Sequence, residues 1–110
     1  MAKFLALYMG TPGARPAPPD QATIAKGMAA WGKWMADHAT QVVDSGGPLG
    51  RTKKTSKAGV SDSQNAVGGY VIVEAASHEA AAKLFEGHPH FAIFPGDSVE
   101  IMEVLPTPVS

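Results

Sequence analysis

The chain has 110 residues, of which 45% are hydrophobic, and its formal net charge at pH 7 is -1. This length predicts one domain with a single core, residues 1–110, in which residues 106–110 form a flexible tail. A charge so close to zero creates no field that would attract nucleic acid or an anionic membrane, so we expect neither partner. The chain has no cysteine, which excludes disulfide and thiolate chemistry and is typical of a reducing compartment. Because the apolar run at residues 4–9 is too short for a signal peptide or a membrane span, we expect a cytoplasmic protein.

The first half of the sequence predicts a strand and a long helix. Residues 3–9 are apolar after Lys3 and end at turn residues, as in a strand that is buried on both faces. Residues 10–19 contain four prolines and two glycines, which predict a loop, and Asp20 then suits the N-cap of a helix. The apolar positions of that helix would fall on one face for about five turns, until residues 44–50 end it. They are Ile24, Met28, Trp31, Met35 and Val42.

The second half predicts two further strands, one helix and an exposed edge strand. The edge strand is placed at residues 52–57, where lysines discourage pairing with other chains. Residues 70–75 contain three β-branched residues in a row and predict a strand. Ser77 suits the N-cap of a helix that runs to about residue 86, where a glycine and a proline follow. Residues 99–105 predict the last strand.

The order strand, helix, strand, strand, helix, strand predicts an α+β fold of the ferredoxin-like kind. Such a fold has one antiparallel sheet with two helices on one face. Both faces of the first and third strands are apolar, yet the helices can cover only one of them. We therefore expect a second copy of the chain to cover the open sheet face in a homodimer. The alternative is that the loop at residues 10–19, or the segment at residues 58–65, folds over this face.

A histidine-rich segment holds the candidate catalytic residues. His90 follows a predicted helix end beside Phe91 and Phe94, and such an apolar setting suits an imidazole that transfers protons near neutral pH. Asp97 is the candidate to orient His90, although His90 would otherwise be a hydrogen-bonded structural residue. His88 and His90 also have a spacing that can bind metal, but no third ligand is evident. We therefore expect no metal, and we expect His88 to lie at the negative end of the preceding helix.

The first predicted helix carries side chains that suit a pocket for a small apolar ligand. Trp31, Trp34 and Met35 are flat or flexible apolar side chains, and His38 falls on the same face by helical spacing. Tyr70, at the start of a predicted strand, is also expected to line this pocket. The alternative is that these side chains simply pack against the sheet. The sequence has no phosphate-binding glycine loop and no nucleophile elbow, and we expect no cofactor.

Several short motifs together resemble the YCII-related family, and in particular its branch of DGPF-domain proteins. The motifs are WGKWM at 31–35, VDSGGPL at 43–49, GGY at 68–70, AA at 80–81, PHF at 89–91, and Gly96 followed by VE at 99–100. The match spans nearly the whole chain. The resemblance implies a dimeric α+β barrel with a cleft beside the sheet. Some members of the family carry a histidine and aspartate pair proposed as an acid/base site, and relatives by fold isomerise lactones or open-ring acids.

The sequence leaves open whether the chain is an enzyme. The first hypothesis is a small cofactor-independent lyase or isomerase, in which His90 acts as general acid or base on an apolar acid or carbonyl compound. The alternative is a non-catalytic dimeric module that binds a small molecule or another protein. The enzyme hypothesis predicts a concave pocket in which His90 or His38 lies within hydrogen-bond reach of Asp97 or Tyr70. The binding hypothesis predicts that apolar acids still stabilise the protein when His90 is replaced by alanine.

Overall fold

The structure, a computed structural model, describes residues 1–11 and 17–107. Its elements, in chain order, are β1 (Ala2–Met9), α1 (Gln21–Asp37), β2 (Val42–Pro48), β3 (Thr52–Ser56), β4 (Gly59–Ser63), β5 (Val67–Ala75), α2 (His78–Lys83), α3 (Pro89–Ala92) and β6 (Ser98–Glu103). Parts of the predicted proline-rich loop and of the predicted C-terminal tail, residues 12–16 and 108–110, lie outside the described residues. Among the helices that are described, none is both long and apolar enough to cross a membrane.

Four strands form one antiparallel sheet in the order β2-β5-β1-β6. The central strand β1 pairs with β5 on one side and with β6 on the other, so that Ala6 lies between Val71 and Ile101. This order and the helices that pack against the sheet confirm the predicted ferredoxin-like α+β fold. The remaining strands, β3 and β4, pair only with each other and form a separate hairpin.

The first helix is shorter than its apolar pattern predicted. Asp20 is its N-cap as expected: the Thr23 N–H donates to the carboxylate at 2.8 Å. Hydrogen bonding from the Thr23 side chain, and then from this N–H, lowers the pKa of Asp20. The helix ends at Asp37 rather than near Val42, because Val42 begins β2 and pairs with Val73 of β5. β-Branched side chains fit a sheet better than a helix, and the sheet provides pairing partners that a longer helix would forgo.

The predicted edge strand at residues 52–57 forms, but it is not the second strand of the sheet. That position belongs to β2, in a segment that was predicted to be a helix stop. Residues 42–48 contain two glycines, and the pairing of β2 with β5 is interrupted by register shifts between Val42 and Gly47. Gly46 has a φ of 61° within this irregular stretch, a left-handed conformation that favours glycine. The bulged strand lacks the alternating apolar pattern by which strands are predicted.

The inward face of α1 is rotated from the predicted one. Ile24 and Met28 were expected to be buried, but they are 42% and 59% exposed. The buried positions are Gly27 and Trp34, with Trp31 half-buried between them. Gly27 lies so close to the Phe94 ring that a Cβ would overlap it. A glycine that is buried for close packing adds nothing to a hydrophobic periodicity, which explains the wrong assignment of the face.

The second helical region is divided into two short helices. Ser77 caps α2 as predicted, with its hydroxyl accepting from the Ala80 N–H at 3.0 Å. The helix ends at Lys83, turns continue to Gly87, whose φ is 69°, and α3 begins at Pro89. Proline is suited to the first turn of a helix because its missing N–H is not needed there. This change of direction brings His88 and His90 toward β1.

The two faces of the sheet differ in burial. On the helix-covered face, β1 and β5 bury Phe4, Ala6, Tyr8, Val71 and Val73. The other face carries Leu5, Leu7, Met9 and Ile72, which are half-buried, and Met102, which is 40% exposed. A sheet with one covered and one apolar open face is the arrangement that the strand pattern predicted.

Candidate active site

A cavity of about 330 Å³ lies beside the helix-covered side of the sheet. It is lined mainly by aromatic rings and by the backbone of glycine-rich strand segments, from Tyr8, Met28, Trp31, Ser45, Gly47, Pro48, Gly68, Gly69, Tyr70 and His90. The glycines leave room at one wall: a Cβ on Gly69 would lie 3.1 Å from the Gly47 carbonyl oxygen and 3.4 Å from the Tyr8 ring. The volume is at the lower end of the range for small-molecule sites, enough for a single-ring compound.

His90 is held at the cavity wall by backbone groups. Its Nε2 lies 2.8 Å from the Met9 carbonyl oxygen, at the end of β1. Because a carbonyl can only accept, Nε2 carries the hydrogen of the neutral ring, and Nδ1 is left with a lone pair. Gly96 packs directly on the His90 ring, and its N–H donates to the His90 carbonyl oxygen at 2.9 Å. The ring is therefore fixed in one orientation.

Asp97, predicted to orient His90, meets it only through a shared acceptor. The backbone N–H of Asp97 donates to the Met9 carbonyl oxygen at 3.0 Å, the same atom that binds His90 Nε2. The Asp97 side chain is exposed and accepts from the Ser98 hydroxyl at 2.9 Å. In this structure a main-chain carbonyl thus takes the position that a carboxylate would hold in a histidine–aspartate pair.

His88 is fully buried and forms a hydrogen-bonded pair with Tyr8. Its Nδ1 accepts from the His90 backbone N–H at 3.0 Å, which caps α3, and its Nε2 lies 3.3 Å from the Tyr8 hydroxyl oxygen. Burial lowers the pKa of His88 from 6.5 to about 4, with smaller contributions from the charges of His90 and His38. Burial also raises the pKa of Tyr8. Both groups are therefore neutral at pH 7, so His88, which follows the turns after α2, carries no charge at the end of that helix.

Aromatic contacts connect this buried pair to the cavity. The Tyr8 ring centroid lies 4.8 Å from that of Trp31, 5.1 Å from that of His88 and 5.3 Å from that of His90. The Trp31 ring meets His88 edge-on at 4.6 Å. Rings packed at such distances have little freedom to reorient, so the polar atoms they carry are held in place.

Trp31 and Tyr70 are the predicted pocket residues that line this cavity. Trp34 instead lies in the core, where its indole N–H donates to the Leu84 carbonyl oxygen at 2.9 Å. Met35 packs against the same core. His38 is the C-cap of α1, and its Nδ1–H donates to the Trp34 carbonyl oxygen at 2.8 Å.

The His-x-His spacing is used for hydrogen bonding. Both nitrogens of His88 and the Nε2 of His90 have hydrogen-bond partners within the protein. Within residues 1–11 and 17–107, no cluster of three metal-ligating His, Cys, Asp or Glu side chains occurs.

Tyr8 is the site residue that the sequence did not single out. The alternation of β1 places Tyr8 on the same face as Phe4 and Ala6, and that face is the buried one. A tyrosine at the end of a strand whose inward face is otherwise purely apolar needs a hydrogen-bond partner, and this requirement was the available signal.

Comparisons with known proteins identify the fold. The chain is similar in structure to 5-chloro-2-hydroxyhydroquinone dehydrochlorinase (TftG) of Burkholderia phenoliruptrix AC1100, solved in complex with 2,5-dihydroxybenzoquinone, with a TM-score of 0.56, 19% identity, and coverage of 91% of this chain and 90% of that one. It is also similar to the protein At3g17210 of Arabidopsis thaliana, with a TM-score of 0.46, 16% identity, and coverage of 100% and 99%. The fold is that of the dimeric α+β barrel proteins. No protein-family model and no curated protein sequence matches the chain.

Proposed function

We propose that the protein is a small cofactor-independent lyase or isomerase of the YCII-related type. It binds an apolar acid or carbonyl compound in the cavity beside Trp31, and His90 transfers a proton to and from the bound compound. The observation that carries the proposal is the position of His90 in the cavity wall, with Nε2 fixed on the Met9 carbonyl.

The hydrogen bond to Met9 supports a separate role for each nitrogen of His90. With Nε2–H donating to the carbonyl, Nδ1 is the basic atom that accepts a proton from the carbon next to a substrate carbonyl. The carbonyl oxygen of Met9 stabilises the resulting imidazolium, as a carboxylate does in other acid/base pairs. The same Nδ1–H then returns the proton, either to a different carbon in an isomerisation or to a departing group in an elimination.

The fold supports chemistry of this class. The structural neighbour TftG is named as a dehydrochlorinase, and elimination of HCl is a lyase reaction. The likeness is one of fold, so it supports only the type of reaction. The substrate proposed for this chain is argued from its own cavity.

We further propose that the working unit is a homodimer that buries the open sheet face. Leu5, Leu7, Met9 and Ile72 form an apolar strip there, in a fold whose solved members are dimeric. At about 25 cal/mol per Å², burial of about 500 Å² of apolar surface per subunit contributes on the order of 12 kcal/mol before association costs. Because the chain has no cysteine, we expect this dimer in the cytoplasm.

The alternative function is a non-catalytic module that binds a small molecule. The hydrogen bond between the Ser98 hydroxyl and the Asp97 carboxylate favours this alternative. His90 then has only the neutral Met9 carbonyl to stabilise a charged ring. In this case the cavity would hold a ligand without acting on it.

Proton exchange in a bound ketone separates the two functions. We expect the wild-type protein to accelerate deuterium incorporation from D₂O into the acidic positions of acetophenone and phenylacetone, measured by proton NMR. We expect His90→Asn to lose this acceleration by at least about 100-fold, as for removal of a general base, while the ketone still raises the melting temperature. Binding without exchange in the wild-type protein would favour the alternative, and no binding of any apolar acid or carbonyl compound would refute both.

A further inference from the structure

We infer that the buried Tyr8–His88 pair presents the Tyr8 hydroxyl as a fixed hydrogen-bond donor to an oxygen atom of the ligand in the cavity. This inference rests on the proposed function in one respect, namely that the cavity lined by Tyr8 is a ligand site. It adds a specificity-determining residue and narrows the ligand to compounds with an accepting oxygen, such as a carbonyl, an enolate or a phenolate.

The hydrogen-bond partners of His88 determine which of its nitrogens is protonated. The His90 backbone N–H can only donate, and it points at His88 Nδ1 from 3.0 Å, so Nδ1 must be the unprotonated nitrogen. The neutral imidazole then carries its hydrogen on Nε2. This nitrogen lies 3.3 Å from the Tyr8 hydroxyl, and it acts there as the donor.

The Tyr8 hydroxyl therefore accepts from His88 and keeps its own hydrogen for another partner. Among residues 1–11 and 17–107 it makes no second hydrogen bond. The Tyr8 side chain is only 5% exposed, and leaving a buried donor without an acceptor costs about 1–3 kcal/mol. A ligand oxygen in the adjoining cavity would satisfy that donor.

The surroundings make this donor selective. The cavity walls are mainly apolar, so a polar atom of the ligand that lacks a partner there is penalised. Tyr8 is held in the central strand and between the rings of Trp31 and His88, so its hydroxyl cannot turn away to another acceptor. A donor held in place before the ligand arrives also stabilises charge that develops on a carbonyl oxygen during proton removal.

Tyr8 and His90 together indicate which chemical groups the ligand carries. Their ring centroids are 5.3 Å apart, so both side chains can contact one small molecule. Tyr8 donates a hydrogen bond and His90 Nδ1 accepts a proton, which matches a carbonyl compound with an acidic neighbouring C–H. An aryl ketone or a related enolisable acid fits both groups and the size of the cavity.

Two ligands of the same shape test the inference. Acetophenone and α-methylstyrene differ in one group, a C=O replaced by C=CH₂, and their dissociation constants are measured by isothermal titration with wild-type, Tyr8→Phe and Tyr70→Phe proteins. In Tyr8→Phe we expect the affinity for acetophenone, relative to that for α-methylstyrene, to fall about fivefold. This is the effect of one net hydrogen bond. Urea denaturation of each variant establishes that it is folded under the conditions of the titration.

A second variant tests the orientation of the donor. His88→Asn keeps a side-chain acceptor for the His90 N–H but removes the Nε2–H that fixes the Tyr8 hydroxyl, so we expect the preference for acetophenone to weaken here too, by about twofold. If both ligands bind Tyr8→Phe with an unchanged ratio of dissociation constants, the inference is overturned and the proposed function still stands. Loss of the preference in Tyr70→Phe instead would also overturn it. If neither ligand binds the wild-type protein, the proposed function fails with it.

Discussion

The neutral, buried state of His88 makes the stability of the fold depend on pH. The ring is fully buried, and the pKa of His88 falls from its ordinary value of 6.5 to about 4 in the folded protein. At mildly acidic pH the His88 imidazole therefore binds a proton in the unfolded chain but not in the folded chain. The contribution of His88 to stability is complete above about pH 6.5 and decreases as the pH falls toward 4.

The size of this effect follows from the two pKa values. A difference between 6.5 and about 4 corresponds to about 3 kcal/mol, since each tenfold change in proton affinity is worth about 1.4 kcal/mol. At pH 4.5 the unfolded ring is protonated while the folded ring is still mostly neutral, so we expect about 2 kcal/mol of stability to be lost between pH 7.5 and pH 4.5. This is a large share of the stability of a domain of 110 residues.

Urea denaturation of wild-type and His88→Asn proteins at these two pH values measures the effect. The difference between the two pH values should be about 2 kcal/mol smaller in the variant, because asparagine does not titrate while every other histidine is unchanged. The variant should be less stable than wild type at pH 7.5, where it has lost the imidazole contacts. Equal pH dependence in the two proteins, or a His88 ring that titrates near pH 6.5 by NMR, would refute the reasoning.

Three further substitutions test the packing of α1. Gly27→Ala should destabilise the protein by at least about 1 kcal/mol, because its Cβ would overlap the Phe94 ring, whereas Gly32→Ala should stabilise it by up to about 1 kcal/mol, because Gly32 faces open space in the same helix. If thermal denaturation showed that both substitutions shift the melting temperature in the same direction, this account of the helix face would be contradicted. Trp34→Phe should cost about 1–2 kcal/mol of unfolding free energy, since it removes the N–H donor to Leu84. An unchanged urea midpoint would contradict that role. In this variant Trp31 is the only remaining tryptophan, so the fluorescence of the protein reports on the cavity.

The sequence predicted those parts of the fold in which apolar side chains alternate or recur. β1 and β5 contain continuous apolar runs, at residues 4–9 and 70–73, and Asp20 and Ser77 are caps whose chemistry is local. The type of fold could therefore be inferred from the order of the elements, although its second strand was assigned to the wrong segment.

The parts that escaped prediction depend on glycine and on distant partners. Strand β2 is bulged at Gly46, and the inward face of α1 is marked by Gly27, a residue with no side chain to count. The tautomer of His88 is fixed by an N–H from α3 and a hydroxyl from β1, 80 residues away in the chain. Such a pairing is created only by tertiary structure. His90 could be selected because its neighbours in sequence are apolar, but its partner on Met9 could not.

The central claim is that a small carbonyl compound binds between α1 and the sheet, against Tyr8, Trp31 and His90. Titration of ¹⁵N-labelled protein with acetophenone, followed by amide chemical shifts, tests it most directly. The account predicts shifts concentrated at the glycine-rich cavity wall, Gly47, Gly68 and Gly69, together with the indole N–H of Trp31. Saturable shifts confined to the open sheet face or the β3–β4 hairpin, or no shifts at all, would contradict it.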